Sequence, residues 1–245
     1  MSFPNPNVDA KFIVEVQNVR EVTLAAEADL AYWQTRLQGE SVFPFNQQGK
    51  AAITISATEL HSIGRRSNEV TIGLIVCERP AADSPDALYL VQAFNSLRSF
   101  AWIERTFFAT PYNLGRIQVD EHVPVKVRLE DRAGLIFNLQ MKTNTVPATT
   151  RDEMWQGKIY LPQAEKYFVA KLGGRTEVYP FLPEADTLQI FARDAYQVFQ
   201  WLLESNLVGK EWRIRNDAVH ARSKSFPRKQ RTSDDGDAAA GRKTV

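Results

Sequence analysis

Hydrophobic and polar residues alternate with a period of two along much of this chain, as in strands that bury one face. In residues 11–23 the apolar set is Phe12, Val14 and Val16, then Val19 and Val22, which predicts a strand with an irregularity near Asn18. Over residues 25–37 the period changes: Ala26, Leu30, Trp33 and Leu37 share one face, so a helix is expected there, with Gly39 just past its end. Phe43, Pro44, Phe45 and Gly49 punctuate the following loop. Ile53, Ile55 and Ala57 then alternate with Thr54, Ser56 and Thr58. After a polar loop over 61–68, the alternation resumes through Val70, Ile72, Leu74 and Val76. Residues 80–85 read as a loop and 87–94 as another strand.

The segment 94–120 organises the rest. Leu97, Phe100, Ala101 and Phe108 recur at helical spacing, and Ile103 and Phe107 widen the apolar face, which predicts a buried helix. Pro111 lacks an amide donor and drives Thr110 out of helical geometry, so the helix should stop there. Tyr112 and Asn113 form a polar turn, and 115–119 a strand. Beyond it, 123–130 and 135–141 flank a turn ending in Gly134. Strands are expected at 155–161 and 167–171, with Gly173 and Gly174 turning the chain into 176–179. Residues 187–205 read as an amphipathic helix with Leu188, Phe191, Ala192, Ala195, Val198, Phe199 and Leu202 on one stripe and Asp186 as N-cap. Residues 211–220 are expected as a final strand.

This pattern divides the chain into a loose N-terminal arm (1–10), a single domain (11–221) and a disordered basic and polar tail (222–245). The tail's cluster of Arg228, Lys229 and Arg231 is either a contact for nucleic acid or a targeting receptor, or simply a solubilising tail. A hydrophobic content of 44% with 24% charge suits a globular protein with a sizeable core. The net charge of +1 supplies no global field toward nucleic acid or an anionic membrane. No stretch approaches the ~20 apolar residues of a membrane span, and the first residues lack the features of a secretory signal. A cytoplasmic location is therefore expected. The one cysteine, Cys77, excludes an internal disulfide, and three scattered histidines (His61, His122, His220) offer no metal-spaced pair. Neither a phosphate loop nor a nucleophile elbow is present, and no cofactor or metal is expected.

Arg105, then Phe107 to Thr110, then Pro111, Tyr112, Asn113, Leu114 and Gly115 resemble the central motif of the acetoacetate decarboxylase family. That family's motif is an arginine, a hydrophobic helix end, then aromatic-Pro-Lys-Lys-Leu-Gly and a strand. Residues 64–68 followed by Glu69 resemble its glycine-rich loop and acidic residue. Uncharacterised relatives with Leu-Pro-Tyr at this place are closer to Thr110, Pro111 and Tyr112. The resemblance implies an α+β, mainly antiparallel β protein: a closed or cone-like barrel around a ligand cavity, with a few packed helices. In the family the first lysine after the proline forms a Schiff base, and the second helps lower its pKa. Here those positions are Tyr112 and Asn113, neither of which can form an imine. The family's N-terminal strand arginine has no counterpart near Thr23 to Ala25.

The candidate catalytic residues are Glu69, as an acid or base, and Tyr112, as a hydrogen-bond donor to a carbonyl or enolate oxygen. Arg105, Asn113 and His61 are the candidate substrate-binding residues. Four of them have a structural alternative: Glu69 facing solvent, Arg105 paired with a carboxylate, Tyr112 anchored in the barrel wall, and His61 exposed on its loop. Three functions stay open. The first is a binder or Schiff-base-independent lyase, hydratase or isomerase of oxo-acid-like molecules, which requires a cavity holding Glu69, Arg105 and Tyr112. The second is a non-catalytic interaction protein with a filled barrel. The third is a decarboxylase with a displaced lysine, for which Lys126 is the candidate, its orientation open. A small-molecule ligand is the expected partner, with no membrane or nucleic acid, and oligomerisation is left open.

Overall fold

The computed structural model describes residues 10–62, 65–120, 122–142, 146–163 and 165–228. β1 (Phe12–Asp29) is longer than its pattern suggested, because Leu24, Ala26 and Ala28 continue a period of two while 25–29 pair with Lys50 to Thr54. Small alanines satisfy both periods, so the neighbouring strand decides. The expected irregularity is a bulge: the register breaks between Val16 and Val19, and Asn18 has φ +53°. Helix α1 is confined to Leu30–Arg36, with Asp29 Oδ1 accepting from the amides of Ala31 (2.9 Å) and Tyr32 (3.3 Å).

Two short strands, β2 (Phe43–Pro44) and β3 (Asn46–Gln47), precede the hairpin β4 (Lys50–Ser62) and β5 (Arg65–Cys77). The polar loop expected over 61–68 is instead strand, paired out to Ser62 and Arg65; Ile63 and Gly64 lie outside the described residues. Next come β6 (Ala87–Asn95), α2 (Arg98–Phe107), β7 (Tyr112–Leu114) and β8 (Arg116–Asp120). The predicted hairpin follows as β9 (Lys126–Asp131) and β10 (Gly134–Gln140). The remaining elements are β11 (Thr149–Tyr160), β12 (Lys166–Pro180), β13 (Thr187–Ile190), α3 (Gln197–Glu204) and β14 (Val208–Pro227).

Strands β5, β4, β1, β14, β12, β11 and β6 form a closed ring of seven, completed where β6 returns to β5. The joint between β11 and β6 is parallel and three residue pairs long; every other contact around the ring is antiparallel. The expected fold class holds, as a closed ring rather than a regular barrel. A second sheet, ordered β13-β10-β9-β8, packs on the outside of the ring.

The hydrophobic half of each alternation goes into the layer between ring and second sheet. Val22, Leu24, Ile53, Ile55, Val70, Ile72, Trp212 and Ile214 meet Leu129, Phe137, Phe199 and Leu202 there. The opposite face of the same strands, with Glu21, Thr23, Ser56, Thr58, Glu69, Arg213 and Arg215, points into the ring. Polar residues that would ordinarily be given to solvent therefore line an interior.

Three further expectations give way to tertiary pairing. Gly173 and Gly174 do not turn the chain: β12 runs through them, with its register to β14 shifting between Gly173 and Glu177. Of residues 187–205 only the last part is helical. Thr187 to Ile190 pair with Gln140 to Phe137 at the edge of β10, and Asp186 accepts from Trp212 Nε1 (2.8 Å) and the Leu182 amide (3.0 Å) instead of capping a helix. Strand β14 continues past Arg222 to Pro227, and Arg228 donates to Glu40 Oε2 and the Leu161 carbonyl, both at 2.7 Å, so these residues belong to the folded body rather than to a tail. Residues 1–9 and 229–245, where the rest of the predicted arm and tail fall, lie outside the described residues. Among the described residues no helix is long and apolar enough to cross a membrane.

Candidate functional site

The ring encloses a cavity of about 1,130 Å³. One wall is polar, built from the inward faces of β1, β4, β5 and β14. The other is apolar, with Leu88 and Leu90 from β6, Ile159 from β11 and Phe168 and Leu172 from β12. Helix α2 completes the enclosure with Phe100, Ile103 and Glu104. The helix was expected to be buried, yet only Ala101 and Glu104 are. Trp102 is 52% exposed and Phe107 66%, because a short helix laid against a ring has one face to bury and this one is apolar on both.

The turn after α2 places the central side chain. Phe108 is the C-cap, Ala109 adopts a left-handed conformation (φ +54°), and β7 then pairs in parallel with β6, setting Tyr112 opposite Ala93. Tyr112 is 8% exposed, on the cavity wall, with Phe100 edge-on at 5.6 Å. Glu69 lines the same wall, close enough for its carboxyl and the Tyr112 hydroxyl to perturb each other's ionisation. Asn95 fixes the carboxylate from the other side: its Nδ2 donates to Glu69 Oε2 (3.3 Å) while its Oδ1 accepts from the Leu97 amide (2.8 Å) at the entry to α2.

Burial is the largest influence on Glu69 and raises its pKa. The hydrogen bonds from Tyr112 and Asn95 oppose that rise, and the Glu104 charge adds to it. Tyr112 is pushed well above its ordinary value, by burial first and then by the charges of Glu69 and Glu104. The pair is thus a phenol held neutral beside a carboxyl held toward its acid form.

Glu104 is itself buried, with a hydroxyl and a cation as partners: Thr110 Oγ1 donates to its Oε2 (2.9 Å), and Arg222 Nη1 lies 2.7 Å from both carboxylate oxygens. The Arg222 guanidinium sits between the rings of Phe168 (4.2 Å) and Phe108 (4.7 Å). Among the described residues its Nε and Nη2 have no hydrogen-bond partner.

Of the residues singled out in the sequence, the structure brings Glu69 and Tyr112 together in the cavity. It does not bring the other three there. Arg105 is exposed, one helical step (about 100°) round from Glu104. Asn113 alternates away from Tyr112 and does not line the cavity. His61 is exposed near the tip of the β4–β5 hairpin, with Nε2 3.2 Å from Glu59 Oε1. Lys126 lies on β9 in the outer sheet, and among the described residues no lysine lines the cavity. Glu104, Arg222, Asn95, Glu21 and His220 were not legible as site residues. Helix periodicity points to Glu104 once Ala101 is known to face inward. No comparable signal marks Arg222 or His220, because register shifts in β14 break the alternation between Ile214 and Ala221.

No family model matches the sequence, and no curated protein matches it. Among solved structures the chain is similar to an acetoacetate decarboxylase, at 11% identity over 87% of this chain and 88% of that one, with a TM-score of 0.61. The acetoacetate decarboxylase from Legionella pneumophila subsp. pneumophila str. Philadelphia 1 matches at 10% identity, over 93% and 92% of the two chains, with a TM-score of 0.62. The enduracididine biosynthesis enzyme MppR, complexed with the condensation product of pyruvate and imidazole 4-carboxaldehyde, matches at 10% identity over 87% and 88%, with a TM-score of 0.59. At these identities the likeness establishes the fold, which is acetoacetate decarboxylase-like.

Proposed function

We propose, with the acetoacetate decarboxylase-like fold as premise, that this protein binds a small oxo-acid-like molecule in its cavity and handles the carbonyl through Tyr112 and Glu69, without an imine. The observation that carries this reading is the placement of Tyr112 with the buried Glu69 carboxyl on the wall of one cavity, at the point where the resembled motif has its nucleophilic lysine. Burial disfavours the charged form of both groups, and a carbonyl or enolate oxygen is the acceptor that a neutral phenol suits. A ligand carboxylate would meet Arg222, which lines the cavity where Arg105 does not and whose side chain is 19% exposed. The chemistry that fits is proton transfer of the lyase, hydratase or isomerase kind.

A metabolite screen by thermal shift tests the reading, run on the wild type, Tyr112→Phe and Glu69→Gln. Oxo-acid-like hits should raise the wild-type Tm and lose most of that shift in both variants. Hits that stabilise all three proteins equally would refute it. Borohydride treatment with acetoacetate should leave every lysine unmodified by mass spectrometry; an adduct on any lysine would restore the displaced-lysine decarboxylase.

One observation favours a second reading, as an interaction protein: the outward face of α2, with Trp102 and Phe107 exposed and stacked edge to face at 5.6 Å. In that case Trp102→Ser with Phe107→Ser would abolish partner capture while leaving ligand-induced thermal shifts intact.

A further inference from the structure

The cavity holds a second titratable group that the Tyr112–Glu69 reading does not use. His220 on β14 lines the cavity, and its Nε2 lies 2.8 Å from Glu21 Oε2 on β1. The other oxygen of that carboxylate accepts from Arg215 Nη1 (2.9 Å) and Thr23 Oγ1 (2.8 Å). Arg215 is itself fixed by Glu153 Oε2 (2.8 Å) and Thr176 Oγ1 (2.7 Å). Burial is the largest single influence on Glu21 and would raise its pKa. Arg215, His220 and Thr23 together outweigh it and hold the group well below the usual carboxylate range.

Glu21 is therefore held toward its anion, which is an acceptor only. An imidazole facing such an acceptor through Nε2 keeps its proton on that nitrogen when neutral, which leaves the lone pair on Nδ1. Among the described residues Nδ1 has no hydrogen-bond partner, and the side chain keeps 23% exposure. A carboxylate, an imidazole it orients, and a bare ring nitrogen beside a ligand space are the parts of a general base. Glu69 and His220 line the same cavity. The cavity thus pairs a donor group, Tyr112 with Glu69, with a carboxylate-backed base.

We propose that His220, oriented by Glu21, is the catalytic base that removes a proton from the carbon next to the carbonyl of the cavity ligand, while Tyr112 and Glu69 hydrogen-bond the carbonyl oxygen. The C–H bond breaks and its proton goes to Nδ1, giving an imidazolium that Glu21 stabilises. The C–H electron pair forms the carbon–carbon double bond of an enolate, and the carbonyl π pair moves to the oxygen, where Tyr112 donates. Return of the proton to the same carbon gives exchange, and return to a conjugated carbon gives a double-bond shift; neither needs a co-reactant. The substrate class is a carbonyl compound with an acidic neighbouring C–H. This inference rests on the cavity being a site for a carbonyl ligand.

Proton NMR in D₂O tests it on the full chain, with 2-oxobutanoate and phenylpyruvate as probes. Wild type should exchange the protons next to the carbonyl faster than buffer does, and His220→Asn should lower the catalysed rate by about 10²-fold or more. Glu21→Gln should also slow exchange, by less than His220→Asn does, because the ring keeps Nδ1 but loses the carboxylate that orients it. A purely structural histidine would change Tm without slowing exchange once the variant is folded. Should His220→Asn fold poorly, His220→Gln and long-range ¹H–¹⁵N spectra of the wild-type neutral ring decide, the expected proton being on Nε2. Wild-type exchange that survives loss of His220, a proton on Nδ1, or no wild-type exchange with either probe overturns the assignment. Thermal shifts with the same probes separate the two readings: a shift that Tyr112→Phe abolishes, alongside exchange indifferent to His220, removes only the base. No shift from either probe removes the carbonyl site beneath it.

Discussion

Replacing Glu104 with Gln isolates the charge that holds Arg222 in place. The pair is enclosed, with side-chain exposures of 19% for Arg222 and 7% for Glu104, so solvent screens it little. Arg222 Nη1 has both carboxylate oxygens at 2.7 Å, and among the described residues Nε and Nη2 have no partner to fall back on. Removing one member of a buried pair costs about 3–5 kcal/mol. Glutamine keeps one acceptor oxygen, so the low end, about 3 kcal/mol, applies. At about 2–4 °C per kcal/mol for a domain of this size, Tm should fall by about 6–12 °C. A second substitution gives the sharper result. Arg222→Met leaves a flexible apolar chain between Phe108 and Phe168, and apolar replacement of a buried pair is often neutral or stabilising. The double variant should therefore recover most of the lost Tm. Differential scanning calorimetry on the wild type, both single variants and the double variant closes the cycle. A Tm loss under ~2 °C for Glu104→Gln, or a double variant no more stable than that single one, would show that the buried charge is not what the wall depends on.

Two other outcomes follow from single residues. Glu69 has a raised pKa in the folded protein, so the fold holds that proton more tightly than the unfolded chain does. Its stabilising contribution is complete below the unfolded value of 4.5 and is lost as pH rises through the folded pKa. Glu69→Gln should thus gain stability relative to wild type between pH 5 and 8 in urea titrations, and parallel curves would contradict the assigned direction. Gly174 has φ +145°, and an added Cβ would stand 3.1 Å from Ala218 Cα, so Gly174→Ala should lower stability by about 1–3 kcal/mol. An unchanged denaturation midpoint would mean that β12 and β14 can separate there at no cost.

The alternations through Ile53, Ile55 and Ala57 and through Val70, Ile72 and Leu74 were legible as strands because each has a fully buried face. The bulge at Asn18 and the hairpin turn ending in Gly134 were legible for the same local reason, a side chain or a glycine out of step with its neighbours. Residues 25–29 and 187–190 were misread as helix because their apolar spacing fits both periods, and only a partner strand breaks the tie. The burial of α2 was misread because an apolar face on a helix says nothing about whether a second layer covers it.

The segment around Tyr112 shows the division most clearly. By itself the sequence determined a helix that stops before Pro111, a phenol where the resembled motif has a lysine, and a carboxylate at Glu69 in a strand. These are local properties of backbone sterics and side-chain chemistry. Only the tertiary structure decided that the polar faces of β1, β4, β5 and β14 turn inward. It also placed Glu104 rather than Arg105 at the cavity, and brought Arg222 and His220 to Tyr112 and Glu69. Ring closure joins residues far apart in sequence, and an alternating pattern is identical whether its polar face meets solvent or a cavity.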